Sequence, residues 1–133
     1  MHTPHLPHDH GHSHDTAHIL THLPGPEAAA EASAVFALLG DSSRIRIFWL
    51  LCHTEECVCN IAAAVGMRDA AVSHHLKILR LNNMISGRRE GKEIHYSLAD
   101  NDQARFAHRI LDDFFRINCP CEPIKEDDHE RYQ

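Results

Sequence analysis

The stretch from residue 57 to residue 80 constrains the fold of this chain most strongly. Two apolar sides recur there at helical spacing, one before and one after Gly66, a residue type that commonly ends helices in a left-handed conformation. The first side is formed by Ile61, Ala62 and Val65, and the second by Val72, Leu76 and Leu79. The spacing predicts two short helices joined at a glycine turn, as in a helix-turn-helix. Similar helix pairs also occur in folds that bind no DNA.

The outer side of the second predicted helix is polar and basic. It carries Ser73, His74, Lys77 and Arg80. Hydroxyl, imidazole, amine and guanidinium groups contact base edges and phosphates in a DNA major groove. We therefore predict that these four side chains bind DNA. The alternative for His74 is an ordinary surface imidazole.

A predicted β-hairpin follows this helix directly. Residues 85–89 and 94–98 read as two short strands around the turn Glu-Gly-Lys-Glu, which makes a wing. Between residues 68 and 92, six basic residues outnumber two acidic ones for a local charge of +4, whereas the whole chain carries −6. This concentration of positive charge indicates phosphate binding and extends the predicted DNA contacts to Arg68, Arg89 and Lys92. The alternative is a solvated basic patch.

Two cysteines stand immediately before the helix pair. Thiolates of Cys57 and Cys59 suit soft metal ions. Side chains two positions apart point about 200° apart on a regular helix, so the pair can bind one ion only before the helix or by distorting its first turn. Metal binding would therefore couple to the position of the second predicted helix, which we call the reading helix because its outer side is predicted to contact DNA. The alternative is that both cysteines pack as small apolar residues.

Two thiolates do not complete a site, because zinc and cadmium normally take four ligands. Residues 1–26 hold eight histidines with four prolines and two glycines, a composition that predicts a disordered arm. One source of further ligands is this arm, with His8, His10, His12 and His14. The other source is the pair Cys119 and Cys121 near the C-terminus. The arm could equally be a weak metal buffer or a solvated tail.

Three motifs follow one another in the order of a known family. Residues 39–47 read Leu-Gly-Asp-Ser-Ser-Arg-Ile-Arg-Ile, residues 56–62 read Glu-Cys-Val-Cys-Asn-Ile-Ala, and residues 71–77 read Ala-Val-Ser-His-His-Leu-Lys. They resemble the opening signature, the metal box and the recognition helix of the ArsR/SmtB family of metal-responsive winged-helix repressors. The resemblance runs from about residue 31 to residue 115, which is most of the chain.

The resemblance implies a mainly α fold with a small β-hairpin, a winged helix-turn-helix that dimerises through its first and last helices. It implies a homodimeric repressor that binds double-stranded operator DNA when metal-free. Binding of Zn²⁺, Cd²⁺, Pb²⁺ or As(III) would release the DNA and derepress metal efflux or resistance genes, with zinc or cadmium as the leading prediction. The alternative is a metal-trafficking or storage protein that uses the histidine-rich arm and the two Cys-x-Cys pairs.

A second metal site of the resembled family does not fit this sequence. Its ligands would fall on Asp100, Asp102, Asp113 and Arg116. A guanidinium cannot bind a metal ion, so we predict that this site is absent. His95 and His108 lie apart from any ligand pair in the sequence, and the sequence assigns them no role.

The chain is expected to form three parts. These are a disordered, metal-binding arm (1–26), the winged helix-turn-helix domain (27–118), and a Cys-Pro-Cys and acidic tail (119–133). The sequence has no apolar run of membrane-spanning length and no signal-peptide pattern, so we expect a cytoplasmic protein without a membrane partner. No catalytic triad, phosphate loop or paired-carboxylate arrangement is present with supporting context, which argues against an enzyme and a small organic substrate.

Overall fold

The computed structural model describes residues 5–116, which form six helices and three strands. In chain order these are α1 (Ser13–Leu20), α2 (Pro26–Leu38), α3 (Ser42–His53), β1 (Glu56–Cys57), α4 (Val58–Val65), α5 (Asp69–Leu81), β2 (Ile85–Glu90), β3 (Glu93–Leu98) and α6 (Asp102–Phe115). The chain divides into two compact units between Ala34 and Val35. The expected tail at residues 119–133, with Cys119 and Cys121, lies outside the described residues.

Helix α1 lies within the histidine-rich arm. It follows His12 without a side-chain cap, and it buries none of its own side chains. Asp15 in the first turn is favourable for the helix dipole. Eight-residue helices are marginal in water unless tertiary packing supports them. The composition predicted no helix here, and the disorder and metal binding of the arm stay predictions.

Helix α3 anchors the core of the second unit. Its N-cap is Asp41, whose carboxylate accepts a hydrogen bond from the backbone N–H of Arg44 at 2.9 Å. Ile47, Phe48 and Leu51 on its inner side are almost fully buried. Each such side chain contributes about 1.5–3 kcal/mol through burial of apolar surface. Helices α4 and α5 pack against this side and close the core.

The predicted helix-turn-helix is formed by α4 and α5. Gly66 ends α4 in the left-handed conformation, with φ 70° and ψ 38°, as its sequence position predicts. The two predicted apolar sides are the buried ones, formed by Ile61, Ala62, Val65, Val72, Leu76 and Leu79. The two helices and the buried side of each are therefore confirmed as the sequence predicted them.

The predicted wing is formed by β2 and β3, which pair antiparallel from Ile85 opposite Leu98 to Glu90 opposite Glu93. Gly91 in the turn has φ 63°, which favours glycine. A third strand, β1, pairs with the other edge of β3 and sets Cys57 opposite His95. The sequence predicted a two-stranded hairpin and missed this two-residue strand. The winged helix-turn-helix fold is confirmed.

Helix α6 closes the second unit. The side chain of Asn101 caps it, accepting a hydrogen bond from Ala104 N at 2.8 Å. Its inner side is lined by small residues and one leucine, whereas Phe106 and Phe114 are exposed. Among the described residues, no helix is both long and apolar enough to cross a membrane.

Candidate nucleic-acid interface and metal-binding residues

The outer side of α5 is open to solvent along its length. All four predicted DNA-binding residues of this helix, namely Ser73, His74, Lys77 and Arg80, are exposed. Three of them line an open cleft beside β3, together with Tyr96. The exposed side chains on this side of α5 can therefore be approached by a duplex. Contacts of these residues with DNA stay a prediction.

The basic residues of the wing are of two kinds. One forms ion pairs with neighbouring carboxylates, and the others are exposed and can contact phosphates. Arg88 donates hydrogen bonds from Nε to Glu55 at 2.8 Å and pairs with Glu90 through Nη1 at 2.8 Å. The hydrogen bonds from Arg88 hold the pKa of the Glu55 carboxyl below its usual value. Within residues 5–116, Arg89 and Lys92 are exposed and form no ion pair, so both can meet phosphates.

The start of α5 carries two charged residues, one on each side of the helix boundary. Arg68 occupies the N-cap position with extended backbone, and its side chain makes no capping hydrogen bond. Asp69 is the first helical residue, where a carboxylate is favourable for the helix dipole. Arg68 is exposed beside the reading helix, as a predicted DNA contact requires.

Cys57 and Cys59 occupy different kinds of backbone. Cys57 is the N-cap of α4, with extended backbone at φ −83° and ψ 165°, and also belongs to β1. Cys59 lies inside the first turn of α4 and is exposed. Side chains two positions apart point in nearly opposite directions only when both residues are helical. This restriction does not apply to Cys57 and Cys59, because Cys57 precedes the helix. Both cysteines line one open cleft with Lys92 and Glu93.

Cys59 is connected to the reading helix by a hydrogen bond. Its Sγ donates to Asp69 Oδ2 at 3.4 Å. The hydrogen bond to Asp69, with the charge of this carboxylate, raises the pKa of the Cys59 thiol above its ordinary value. The protonated thiol is therefore the form that this geometry stabilises.

The donor set fits a thiophilic ion in chemistry but is incomplete. Two sulfurs at one cleft are ligands that zinc and cadmium accept. Within the described residues, no close group of three or more histidine, cysteine or acidic ligand atoms includes either sulfur. The predicted arm ligands His8, His10, His12 and His14 are all exposed in the first unit. The rings of His8 and His10 stack with centroids 6.0 Å apart.

Two of the four positions that match the family's second metal site are engaged in ion pairs with Arg105. Arg105 binds Asp100 through Nη1 and Asp102 through Nη2, the latter at 2.8 Å. Asp113 is exposed, and Arg116 has a left-handed backbone at the end of α6. The structure does not group these four residues as metal ligands.

A different cluster of ligand atoms connects α3 to α6. His108 Nε2 lies 2.9 Å from Asp112 Oδ2, and His53 Nε2 lies 3.6 Å from Asp112 Oδ1. The ligand atoms of all three residues lie within 4.8 Å of one another. Burial lowers the pKa of His53, and the nearby His108 lowers it further. His108, to which the sequence assigned no role, therefore lies beside two other residues with metal-binding side chains. The spacing of four residues between His108 and Asp112 is visible in the sequence, whereas nothing in the sequence indicated that His53 lies beside them.

Known proteins with similar sequences are transcriptional regulators. The family model "Bacterial regulatory protein, arsR family" matches residues 41–86. The chain is 38% identical over 86 residues to the "Transcriptional repressor SmtB homolog" of Synechocystis sp., covering 65% of each chain. It is 32% identical over 107 residues to the "Arsenical resistance operon repressor" of Staphylococcus aureus, covering 74% of this chain and 95% of that protein. A cadmium resistance regulatory protein, the CadC homolog of the same species, is 37% identical over 71 residues, covering 53% and 59%.

Two of these matches span slightly less than two thirds of the relative's own length, whereas the arsenical repressor is matched almost throughout.

Solved structures agree in fold. The homodimeric winged helix-turn-helix DNA-binding domain of Mb0332 from Mycobacterium bovis, a possible ArsR-family regulator, matches with a TM-score of 0.59 and 25% identity. The match covers 78% of this chain and 97% of that domain. NolR from Sinorhizobium fredii matches with a TM-score of 0.62 and 27% identity, covering 72% and 98%.

Proposed function

This chain belongs to the ArsR/SmtB family of winged helix-turn-helix transcriptional repressors, and on that premise we propose that it senses a thiophilic metal ion. It binds operator DNA when metal-free and releases it when the ion binds Cys57 and Cys59. The genes freed from repression would serve metal efflux or resistance. Relatives named for arsenical and cadmium resistance support this class of response.

The observation that carries this proposal is the hydrogen bond from Cys59 Sγ to Asp69 Oδ2 at 3.4 Å. A metal ion binds the thiolate, so binding removes the proton that makes this hydrogen bond. Asp69 begins α5, and loss of the bond removes a connection that holds the first turn of the reading helix. A coupling free energy of about 1–3 kcal/mol suffices, because it changes operator affinity by roughly 5–150-fold.

The proposed ion is Zn²⁺ or Cd²⁺, with Pb²⁺ and As(III) as further thiophilic candidates. Two sulfurs favour soft ions, and zinc and cadmium need further imidazole or thiolate ligands to reach four. We propose that His8, His10, His12 and His14 supply them in preference to Cys119 and Cys121. A chain with many rotatable bonds can bring imidazoles to an ion from several directions, whereas the second cysteine pair follows the last helix.

The proposed DNA-binding form is a homodimer that pairs through α2 and α6. Phe36 on α2 and Phe106 and Phe114 on α6 are exposed at 55%, 48% and 79%. Large apolar side chains gathered on two helices favour burial against a partner. A two-fold dimer presents two reading helices at the spacing of a palindromic operator.

The test is DNA binding by the metal-stripped full-length protein. Fluorescence anisotropy with labelled DNA from upstream of its own gene is expected to show tight binding in chelator. Addition of Zn²⁺, Cd²⁺, Pb²⁺ or As(III) in separate titrations should release the DNA with at least one of these ions. Absence of sequence-specific binding under every condition would instead favour the metal-trafficking or storage function.

A further inference from the structure

We propose that His53, His108 and Asp112 form a second metal site, built by α3 and α6 of one protomer and separate from the cysteine pair. Imidazole and carboxylate ligands suit a borderline divalent ion such as Zn²⁺ or Co²⁺. This cluster goes beyond the sensing function proposed above, because it contains no sulfur ligand. It is also distinct from the second metal site of the family, because it contains none of the four residues at the matching positions.

The distances among the ligand atoms are close to those of a coordinated ion. Bonds of about 2.0–2.2 Å in tetrahedral zinc place neighbouring ligand atoms roughly 3.2–3.6 Å apart. His108 Nε2 and His53 Nε2 lie 2.9 Å and 3.6 Å from the two oxygens of Asp112. Because all three ligand atoms already lie within 4.8 Å of one another, an ion can be bound with small side-chain adjustments. Three protein ligands leave a fourth position for water.

The surroundings of the cluster hold its ligands in place. Trp49 Nε1 donates a hydrogen bond to Asp112 Oδ1 at 3.2 Å, and the Trp49 ring lies 4.5 Å from the ring of His53. Hydrogen bonds of this kind orient carboxylate ligands at metal sites. The side chains of His53, His108 and Asp112 retain 5%, 18% and 14% exposure. The cluster is thus sheltered by the protein and still reached by solvent through His108 and Asp112.

The location gives an ion a defined effect. His53 is the last residue of α3, whereas His108 and Asp112 lie one turn apart near the middle of α6. An ion bound by all three would tie α6 to α3 within one protomer. Helix α6 also carries the exposed Phe106 and Phe114, so the ion would restrain the helix proposed to pair with a second subunit.

The chain contains a reporter for this site, because Trp49 is its single tryptophan. Titration of the metal-stripped full-length protein with Co²⁺ is expected to quench Trp49 fluorescence saturably, and Zn²⁺ should compete with the quenching. The His108→Gln and Asp112→Asn variants should each weaken the Co²⁺ affinity measured at Trp49 by at least about tenfold. His95→Gln, which removes a partly exposed imidazole from β3 outside the cluster, is the matched control and should titrate like the unmodified protein.

The Cys57→Ser/Cys59→Ser variant should keep the Trp49 response, which separates this site from the proposed sensing site. Nitrogen-15 NMR of the imidazoles in the unmodified chain provides a second measurement that needs no variant. The ring nitrogens of His53 and His108 should shift on addition of Zn²⁺. Unchanged ring-nitrogen shifts at saturating Zn²⁺, or unchanged Trp49 titrations in folded His108→Gln and Asp112→Asn variants, would overturn the proposal.

Discussion

Cys59 and Asp69 belong to different helices of the helix-turn-helix, and the thiol of the first donates a hydrogen bond to the carboxylate of the second at 3.4 Å. Cys59 lies in the first turn of α4, and Asp69 begins α5. The bond therefore connects a proposed metal ligand to the N-terminal end of the reading helix. Because the carboxylate stabilises the protonated thiol, it also opposes the thiolate form that a metal ion needs.

Replacing Asp69 with asparagine should lower the pKa of the Cys59 thiol. The amide keeps the size of the side chain but removes the negative charge that disfavours the thiolate. The measurement is the rate of alkylation of Cys59 against pH, resolved by mass spectrometry of its peptide. Glu90→Gln, which removes a carboxylate elsewhere on the wing, should leave the profile unchanged. A Cys59 profile that does not move in Asp69→Asn would contradict the hydrogen bond.

Loss of either cysteine of the first pair should abolish metal-induced release. Cys57→Ser and Cys59→Ser should bind operator DNA almost normally without metal, because serine is close to cysteine in size. In Cys59→Ser the hydroxyl can also still donate a hydrogen bond to Asp69. Anisotropy titrations with Zn²⁺ and Cd²⁺ provide the measurement.

The second cysteine pair and the arm serve as comparisons in the same titrations. Cys119→Ser/Cys121→Ser should keep at least partial release, and deletion of residues 1–22 should lower metal affinity without removing the response. Normal release by Cys57→Ser/Cys59→Ser together with its loss in the Cys119/Cys121 variant would place the sensing site at the C-terminus.

Changing Lys77, Arg89 or Lys92 to alanine should reduce the salt dependence of DNA binding. Each phosphate contact that is lost lowers the slope of log affinity against log salt by about one unit. Arg88→Ala is the matched control on the same wing and should change the slope less, since Arg88 is already paired with Glu55 and Glu90. Unchanged slopes for all three test variants would rule out this mode of docking.

Ser73→Ala and His74→Ala should alter base preference rather than the salt slope. Both side chains are exposed on the outer side of α5, where hydrogen bonds to base edges discriminate among sequences. Binding to a library of randomised operators, sequenced before and after selection, measures the change. A uniform loss of affinity across unrelated sequences would argue that the two residues do not read bases.

Truncation of two leucines of α5 should have very different effects on the free energy of unfolding. Leu79 is fully buried, so Leu79→Ala should lower the free energy of unfolding by about 2–5 kcal/mol. Leu81 is 72% exposed, and Leu81→Ala should change it by less than about 0.5 kcal/mol. Urea denaturation at one protein concentration compares them. Equal losses would show that the apolar side of α5 is placed incorrectly.

The sequence by itself determined the elements whose signals are local. The two apolar sides around Gly66 predicted α4 and α5, because helical spacing is visible within a dozen residues. The wing was equally readable from two strand-like runs around a glycine turn. The order of three motifs identified the family, and the matches to the family model and to known relatives agree.

Only the tertiary structure decided which distant residues meet. Strand β1 is two residues long and carries no periodic signal, and only its pairing with β3 defines it. The thiol of Cys59 reaches Asp69 because α4 and α5 pack against each other across the turn at Gly66. His53 joins His108 and Asp112 across a sequence separation of more than fifty residues, because α3 and α6 pack together. Local periodicity records which side of a helix is buried, but the partner on that side depends on how the helices pack.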